Sequence, residues 1–291
     1  MALQPGIHVN MLFPTPEIVQ KYYVPIIYTA CRTCYSEEMP MKIWERIEAG
    51  KVPDEKMKQL VRTVVASGHG TTIEHINFTF GIGNVTRTLT HQLVRHRIGV
   101  AFDQQSQRYV KYKHPDVTVP KSISDDPELA AKFTSHIQDG FDLYKDLVDH
   151  KVPAEDARFV FPNATRTNLI MTVNLRELIH MCDLRLCTLA QWEIQVLFRE
   201  IKREVRQASP FLASFLHPKC VSLGYCDEAR NEDEHCKIRP HKNTVMRVFQ
   251  EHRQADLQRK RGTLLPMAQV VPEPVGAGLD ESAPTNLEII A

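Results

Sequence analysis

In the first third of the chain the spacing of the apolar side chains changes period twice. Residues 53–68 have helical spacing, with acidic residues near the start, which predicts a helix. Residues 73–80 alternate apolar with polar side chains, which predicts a half-buried strand that ends at Gly81 and Gly83. Helical spacing returns over residues 85–99. Because the two periods belong to different elements, the chain must combine helices with sheet.

The same reasoning assigns the later segments. Residues 129–148 carry an amphipathic helical stripe, whereas two prolines predict a surface loop over residues 152–167. Asn174 followed by Glu177 has the spacing of a capping box, so we expect a helix to begin there. A further helix is predicted over residues 192–207. Its inward-facing residues are Ile194, Leu197, Ile201 and Val205.

Charge and composition limit the class of protein. Lys and Arg number 36 against 35 Asp and Glu, which argues against a nucleic-acid binder with a general basic footprint. Any anion site must therefore be local. No apolar run reaches the roughly 20 residues that span a bilayer, and no signal-peptide pattern opens the sequence. We expect a cytoplasmic protein with one catalytic domain over residues 1–262 and a mobile tail over residues 263–291.

The seven cysteines are an odd number without a secretory signal, so reduced thiols are expected. Cys31-x-x-Cys34 lacks the second pair that a zinc site would need. One further set, spaced by five, nine and four intervening residues, is unlike a short zinc knuckle. This set is Cys220, Cys226, Cys236 and His241. We therefore predict structural thiols and no metal site.

The densest polar stretch is residues 95–109, with three arginines, a histidine, a serine and three glutamines. Guanidinium groups bind phosphate bidentately, while Ser and Gln match the donors and acceptors of a nucleobase or flavin ring. The stretch therefore indicates a site for an anion and a heterocycle. The alternative is a solvated basic helix end whose cations complement the helix dipole. A second polar cluster over residues 174–193 favours the site.

These residues resemble the signature of the flavin-dependent thymidylate synthases, in order and in spacing, over roughly residues 7–237. The blocks that carry the resemblance are Arg95-His96-Arg97 with Ser106-x-Arg108-Tyr109, Arg32-Thr33-Cys34-Tyr35-Ser36, Gly68 to His75, Thr172 to Arg176, and Asp183 to Glu193. The resemblance implies an α+β fold, a compact mixed helix and sheet domain. It also implies a homotetramer whose active sites are shared between subunits.

The family's ligands would be FAD as prosthetic group, with NADPH and methylenetetrahydrofolate as co-substrates. The positions that match flavin contacts are Thr71, Arg95, His96, Arg97, Asn174, Arg176 and His180. The positions that match nucleotide or folate contacts are His69, Gln92, Gln104, Gln105, Ser106, Arg108, Arg158 and Arg185. Among these, Ser106, Arg108 and Arg185 are implied to be catalytic. Because the cofactor supplies the redox chemistry, the protein must mainly bind, orient and stabilise charge.

The implied reaction is methylation of C5 of a uridine 5′-monophosphate, from dUMP to TMP. Two features depart from the family pattern. Eight residues separate Arg97 from Ser106, one more than usual, which predicts a bulge near the nucleotide. Leu189 stands where the family often has a histidine. A widened pocket would admit UMP, as in the methylases of nucleoside-antibiotic pathways. An RNA- or zinc-binding module is the alternative from a different class.

Overall fold

The computed structural model describes residues 6–114, 116–233 and 235–262. Its strands are β1 (His8–Phe13), β2 (Asn77–Thr86), β3 (Val100–Gln104) and β4 (Arg166–Asn174). They form a four-stranded antiparallel sheet with the order β1-β2-β4-β3. β3 is therefore an edge strand. It lies within the polar stretch of residues 95–109.

Helices occur along the chain both before and after β3. Those before it are α1 (Pro16–Ile18), α2 (Val24–Thr33), α3 (Pro40–Glu48), α4 (Asp54–Ala66) and α5 (Arg87–Leu93). Those after it are α6 (Lys121–Ser124), α7 (Pro127–Asp149), α8 (Ala154–Ala157), α9 (Leu175–Arg185), α10 (Trp192–Ala208), α11 (Pro210–Ala213), α12 (Lys219–Leu223) and α13 (Lys242–Gly262). The α+β prediction is confirmed, because helices accompany an antiparallel sheet.

The apolar core lies between the sheet and the helices that pack on it. Phe78 and Phe80 of β2 and Met171 of β4 have no exposed surface. α10 packs on β1, and all its predicted inward residues are 0% exposed. The backbone N–H of Met11 also donates to Glu204 of α10 at 3.1 Å. Burying an aliphatic or aromatic side chain stabilises by about 1.5–3 kcal/mol, so this face fixes the sheet.

Several predicted elements are confirmed. Helices α4, α7 and α10 occupy the segments 53–68, 129–148 and 192–207, which the sequence predicts to be helical. The helix predicted over residues 85–99 is shorter, since α5 ends at Leu93. Asn174 caps α9, because its Oδ1 accepts the backbone N–H of Glu177 at 2.9 Å. The predicted loop over residues 152–167 is only partly irregular: it contains α8 and a short 3₁₀ turn, Arg158–Val160, and β4 begins at Arg166.

The predicted end of the strand at Gly81 and Gly83 is wrong. The segment Gly70–Ile73 forms a 3₁₀ turn, and β2 runs through both glycines to Thr86. A Cβ at Gly81 would lie 3.3 Å from Leu12 Cδ1, and one at Gly83 would lie 3.3 Å from Asn168 Oδ1. Both glycines therefore mark a close approach to a neighbouring strand rather than a stop.

The predicted bulge before Ser106 is also wrong. β3 pairs with β4 in an unbroken register from Val100 opposite Val173 to Gln104 opposite Leu169. The register shifts lie instead in β1, between Met11 and Phe13, and in β2, between Ile82 and Val85, where Asn84 has a φ of +62°. The edge strand stays regular because its five residues follow the ladder of β4.

Packing divides the chain into two units after His241. The first unit contains the sheet and the core. Of the second, residues 242–291, the structure describes the helix α13. The predicted tail over residues 263–291 lies outside the described residues, and the predicted domain limits stay predictions. In the part of the chain that the structure describes, every helix is too short or too polar to cross a membrane.

Candidate active site

Helix α5 and strand β3 place polar residues at two opposite ends of one hairpin-like unit. At one end, Arg87 at the start of α5 donates from Nη2 to the carbonyl of Gln105 at 3.2 Å, just after β3. At the other end, His96 follows α5 and Gly99 precedes β3. Since β3 has five residues, the two ends lie roughly 13 Å apart along the strand.

The end where His96 follows α5 is the histidine cluster, which we define as His96, Glu177, His180 and Arg185. His96 Nδ1 lies 3.0 Å from Glu177 Oε1, and Arg185 Nε donates to His96 Nε2 at 3.2 Å. The rings of His96 and His180 meet edge to face at 5.8 Å between centroids. Because α9 carries the other three residues, a single helix faces His96.

The contacts of His96 fix its protonation. Its Nε2 accepts from a guanidinium, so the ring proton resides on Nδ1 and is donated to Glu177. Burial lowers the pKa of His96 to about 4, and the cationic Arg185 adds to this effect. Burial also raises the pKa of Glu177. At neutral pH, His96 is therefore an uncharged link between a carboxylate and a guanidinium.

The local backbone explains why Glu177 can reach His96. In a full capping box the N3 carboxylate would bond back to the N-cap N–H. Here the N–H of Asn174 donates to the carbonyl of Gly99 at 2.9 Å, which leaves the Glu177 carboxylate available. Gly99 has a φ of +71°, and a Cβ there would lie 2.3 Å from Asn174 Nδ2. Glycine is required at this turn for both reasons.

The histidine cluster offers ligand atoms that a metal ion needs. His96, Glu177 and His180 each contribute an atom, all within 4.8 Å of one another. However, Arg185 donates to the same His96, and its positive charge opposes a second cation at this distance. The cluster is therefore better suited to an anionic or polar ligand than to a metal ion.

The remaining predicted flavin residues lie around this cluster. Arg95 and Arg97 are exposed on either side of buried His96. Arg176 forms an ion pair with Glu74, and a Cβ at Gly70 would lie 2.6 Å from Arg176 Nε. The missing side chain at Gly70 thus makes room for a guanidinium. Exposed cations beside a neutral imidazole fit the phosphates and polar ring edge of a flavin nucleotide.

Thr71 lies beside a largely apolar cavity of about 410 Å³. Trp44 and His75 also line it. A flat ring system fits a cavity of this size and character. The structure therefore places Thr71 where a ring could bind, separately from the charged residues around His96.

The end where α5 begins is the arginine cleft, which we define as Arg87, Gln92 and Gln104 with the neighbouring Arg158. The cleft has a volume of about 620 Å³. Arg87 Nε is buried and has no hydrogen-bond partner among the residues that the structure describes. Burial lowers the pKa of Arg87, and the positive charge of Arg158 lowers it further. Arg158 therefore lies near enough for its positive charge to act on Arg87.

The bonds of these arginines are to backbone oxygens. Arg87 donates to the carbonyl of Gln105, and Arg158 Nε donates to the carbonyl of Glu155 at 2.9 Å. Neither forms an ion pair with a carboxylate among residues 6–114, 116–233 and 235–262. A guanidinium with no carboxylate partner near a second arginine is an arrangement that can bind a phosphate.

Gln104 is oriented by two threonines of the cleft. Its Nε2 donates to Thr90 Oγ1 at 3.1 Å and to Thr167 Oγ1 at 3.4 Å. Both amide hydrogens are therefore used, and Oε1 is left to accept a hydrogen bond. Gln92 lines the same cleft and donates weakly to the carbonyl of Thr88 at 3.4 Å. The cleft thus combines the guanidinium of Arg87 with a fixed acceptor.

Other predicted site residues lie at the turn after β3. Gln105 Oε1 accepts from Asn168 at 3.1 Å, and Ser106 Oγ accepts the backbone N–H of Arg108 at 3.1 Å. Arg108 pairs with Glu155 at 2.5 Å. His69 is exposed. His69 instead directly precedes the 3₁₀ turn Gly70–Ile73, away from the turn after β3.

Arg185 belongs to the histidine cluster, so the structure does not bring it together with Arg108 in one chain. Their joint role in nucleotide binding stays a prediction. The sequence analysis missed Arg87. A signal was present, because Arg87 is the first residue of a helix capped by Thr86, and a cation there opposes the helix dipole. An unfavourable charge at such a position indicates a binding role.

Residues 19–211 match the family model described as "Thymidylate synthase complementing protein". The chain belongs to the thymidylate synthase complementing protein family. The match contains every residue of the histidine cluster and of the arginine cleft. The resemblance inferred from the polar blocks is therefore confirmed.

Proteins called flavin-dependent thymidylate synthase are similar to this family member over most of their length. The one from Nitratidesulfovibrio vulgaris is 37% identical over 228 residues, which cover 76% of this chain and 91% of the relative. The one from Geobacter sulfurreducens is 42% identical over 202 residues, covering 68% and 84%. The one from Clostridium tetani is 35% identical over 239 residues, covering 77% and 91%.

A solved structure shares the fold. It is the UMP/dUMP methylase PolB from Streptomyces cacaoi, crystallised with 5-Br dUMP. The two superpose with a TM-score of 0.61 at 20% identity, over 74% of this chain and 96% of the other. At this identity the likeness establishes the mixed helix and antiparallel sheet fold.

Proposed function

We propose that this chain methylates C5 of dUMP, with FAD as its prosthetic group, methylenetetrahydrofolate as the carbon source and NADPH as the reductant. As a member of this family, the chain is an FAD-dependent methylating enzyme. The specific substrates are the proposal's addition. The observation that carries it is the arginine cleft, where a buried Arg87 Nε lacks a partner beside Arg158.

In this proposal Arg87 and Arg158 bind the 5′-phosphate of the nucleotide. A phosphate dianion in the cleft would accept hydrogen bonds from the guanidinium of Arg87 and offset the repulsion from Arg158. Gln104 Oε1, fixed by Thr90 and Thr167, would accept the N3–H of the pyrimidine. Both contacts position the ring. Hydrogen bonds that strengthen as negative charge grows on the ring would help C5 act as a nucleophile.

The histidine cluster and its neighbours would hold the flavin, which supplies hydride when it is bound and reduced. Arg95, Arg97 and Arg176 carry the positive charges that its phosphates require, while Thr71, Asn174 and His180 offer polar contacts. Because His96 is neutral, it adds no charge. It orients Arg185, which is the closest cation to the middle of the cluster.

The homotetramer with shared sites is part of the same proposal. Three site arginines, Arg97, Arg108 and Arg158, are each followed directly by an exposed apolar or aromatic residue. These residues are Ile98, Tyr109 and Phe159, with exposed fractions of 83%, 77% and 83%. Repeated exposure of this kind beside site residues supports burial against another subunit. Such packing would also allow Arg185 and Arg108 of different subunits to face one nucleotide.

UMP is the second candidate substrate. The methylase with the shared fold is named for both UMP and dUMP, which keeps the choice of sugar open to experiment. Because β3 pairs with β4 in regular register, a bulge in this strand does not widen a pocket for UMP. A 2′-hydroxyl without a partner would cost about 1–3 kcal/mol, so dUMP is expected to be preferred.

The function is tested by incubating the purified yellow protein with equal dUMP and UMP, methylenetetrahydrofolate and NADPH, followed by mass analysis. We expect TMP as the main product, and at dUMP concentrations below the wild-type KM we expect Arg87→Met to form TMP about 10- to 100-fold more slowly. Product formation in the absence of flavin, or 5-methyl-UMP as the main product, would contradict the proposal. Lys111→Met is the matched control, because it removes a nearby exposed cation outside the cleft.

A further inference from the structure

Four cysteines outside the two active-site clusters line one small cavity. They come from three separate parts of the chain: Cys187 follows α9, Cys220 lies on α12, and Cys226 and Cys236 lie in the segment after it. All four are free thiols. The cavity has a volume of about 20 Å³. That volume holds one water or one ion rather than an organic ligand.

The segment that carries three of these cysteines lacks an apolar core. Within residues 217–233 and 235–241, the buried residues are Cys226, Asn231 and His241. The main apolar core ends at Leu216. A loop segment of this length that buries thiol, amide and imidazole groups instead of aliphatic ones needs another source of order. In small domains and loops this source is often a bound metal ion.

Asn231 holds two of the cysteines in place. Its Nδ2 lies 3.6 Å from Cys226 Sγ and donates to the carbonyl of Cys236 at 3.4 Å. Its Oδ1 accepts the backbone N–H of Cys236 at 2.8 Å. The left-handed Gly224, with a φ of +79°, turns the chain from α12 toward Cys226. A hydrogen bond to sulfur from a buried amide is typical of the groups that orient metal-binding thiolates.

We propose that Cys187, Cys220, Cys226 and Cys236 together bind one thiophilic divalent cation, zinc in the cell, as a four-thiolate structural site. Among the described residues, the three potential ligand atoms that lie within 4.8 Å of one another belong to His96, Glu177 and His180, so the four sulfur atoms would have to draw together around the ion. Nearby Lys219 and Arg239 line the same cavity and would offset the negative charge of four thiolates around one divalent ion. Lys219 also donates to Asp227. The carboxylate of Asp227, a harder ligand than a thiolate, is therefore already paired within the chain. The site would fasten residues 217–241 to the end of α9.

The titration chemistry of the thiols agrees with this geometry. Burial raises the pKa of Cys187 and of Cys220, and the other cysteines of the group raise both further. Without a metal ion these thiols are therefore neutral near pH 7. Zinc deprotonates the thiols that bind it, so binding would release protons.

The ligand set differs from the one considered from the sequence. His241 pairs with Cys226 through a backbone bridge but does not line the cavity, whereas Cys187 does. Cys187 lies 33 residues before Cys220, so no short motif connects it to the other three. The inference is independent of the proposed function, because neither cluster of the active site contributes a ligand.

The test uses the full chain with its flavin. Metal analysis of protein purified without chelator is expected to give about one zinc per chain. Serine substitution of Cys187, Cys220, Cys226 or Cys236 should each lower zinc affinity by about 100-fold or more. Cys34→Ser, at an exposed cysteine outside the cavity, is the matched control and should keep its zinc.

A second measurement does not depend on the folding of variants. Wild-type protein stripped of metal is titrated with cobalt(II), and the spectrum of the zinc-loaded sample is subtracted to remove the flavin absorption. An intense sulfur-to-cobalt charge-transfer band and tetrahedral visible bands are expected. Absence of these bands, or disulfide bonds among the four cysteines in the freshly purified protein, overturns the proposal. If Cys187→Ser keeps its zinc and His241→Asn loses it, the ligand assignment is wrong.

Discussion

The two ends of the α5–β3 unit differ in whether their polar groups have hydrogen-bond partners within the chain. In the histidine cluster, hydrogen bonds within the chain link Arg185 to His96 and His96 to Glu177. In the arginine cleft, Arg87 keeps a buried Nε without a partner next to a second guanidinium. The difference indicates that the first end is ordered before any ligand binds. The second end is completed by an anion.

This contrast predicts that changes at the histidine cluster act mainly on stability, and changes at the arginine cleft act mainly on ligand affinity. A buried polar network loses stability when one member is removed, because its partners are left unsatisfied. Two neighbouring guanidinium groups repel each other, and an anionic ligand lowers this repulsion. Removing one of them should therefore cost binding and little or no stability.

The largest effect is expected from pH. The unfolded chain has an ordinary histidine pKa of 6.5, whereas folding lowers the pKa of His96 to about 4. Between these values the unfolded state binds more protons, so stability is lost as the pH falls from 6.5 toward 4. His96 accounts for at most roughly 3 kcal/mol of this loss. Urea unfolding from pH 7 to pH 4.5 measures it.

The matched comparison is His96→Gln, which should lose less stability over this range than the wild type. His136→Gln, at an exposed histidine of α7, should follow the wild-type curve. Parallel curves for wild type and His96→Gln would mean that the buried ring does not stay neutral.

The next effect concerns nucleotide affinity. Arg87→Met and Arg158→Met should each weaken dUMP binding by about 10- to 100-fold, as expected for loss of charge-assisted bonds. Unfolding free energy should stay the same or rise, and the flavin should remain bound. Isothermal titration and urea unfolding measure the two quantities on the same samples.

Arg185→Met is the informative partner variant, because it should lower stability through His96. If it also weakens dUMP binding, the sequence-based assignment of Arg185 to the nucleotide site is supported across subunits. Unchanged affinity in both Arg87→Met and Arg158→Met would remove the arginine cleft as the phosphate site.

A smaller effect is expected from the turn that supports the histidine cluster. Gly99→Ala combines an unfavourable φ of +71° with a Cβ that would meet Asn174 Nδ2 at 2.3 Å. We expect a loss of about 2 kcal/mol in urea unfolding. Gly50→Ala is the control, since its φ is +66° but nothing lies within 4 Å of its Cβ. Equal losses for both would show that the contact with Asn174 adds nothing.

The smallest effect on stability is expected at Arg108. Its ion pair with Glu155 joins side chains that are 54% and 43% exposed, and such pairs contribute at most about 1 kcal/mol. Arg108→Ala should therefore leave thermal unfolding nearly unchanged. If Arg108 faces the nucleotide of a neighbouring subunit, dUMP affinity should still fall by about tenfold. Equal affinity in this variant would argue against its assignment as a catalytic residue.

Much of the site could be predicted from the sequence because local patterns encode it. The cap at Asn174 and the inward face of α10 follow from spacing alone, and both are present. The polar blocks also marked His96 and Gln104 as site residues. Arg87 escaped notice because its importance depends on Arg158, which lies 71 residues later and meets it only in the folded chain.

The sequence by itself determined the elements, since apolar period and capping chemistry act over a few residues. It also determined the family, through the order of its polar blocks. The tertiary structure decided which polar groups meet. It joined His96 to Glu177 rather than leaving Glu177 in its capping box, ran β2 through two glycines, and brought Cys187 to the other cysteines. Such pairings depend on contacts between distant segments, which no local pattern contains.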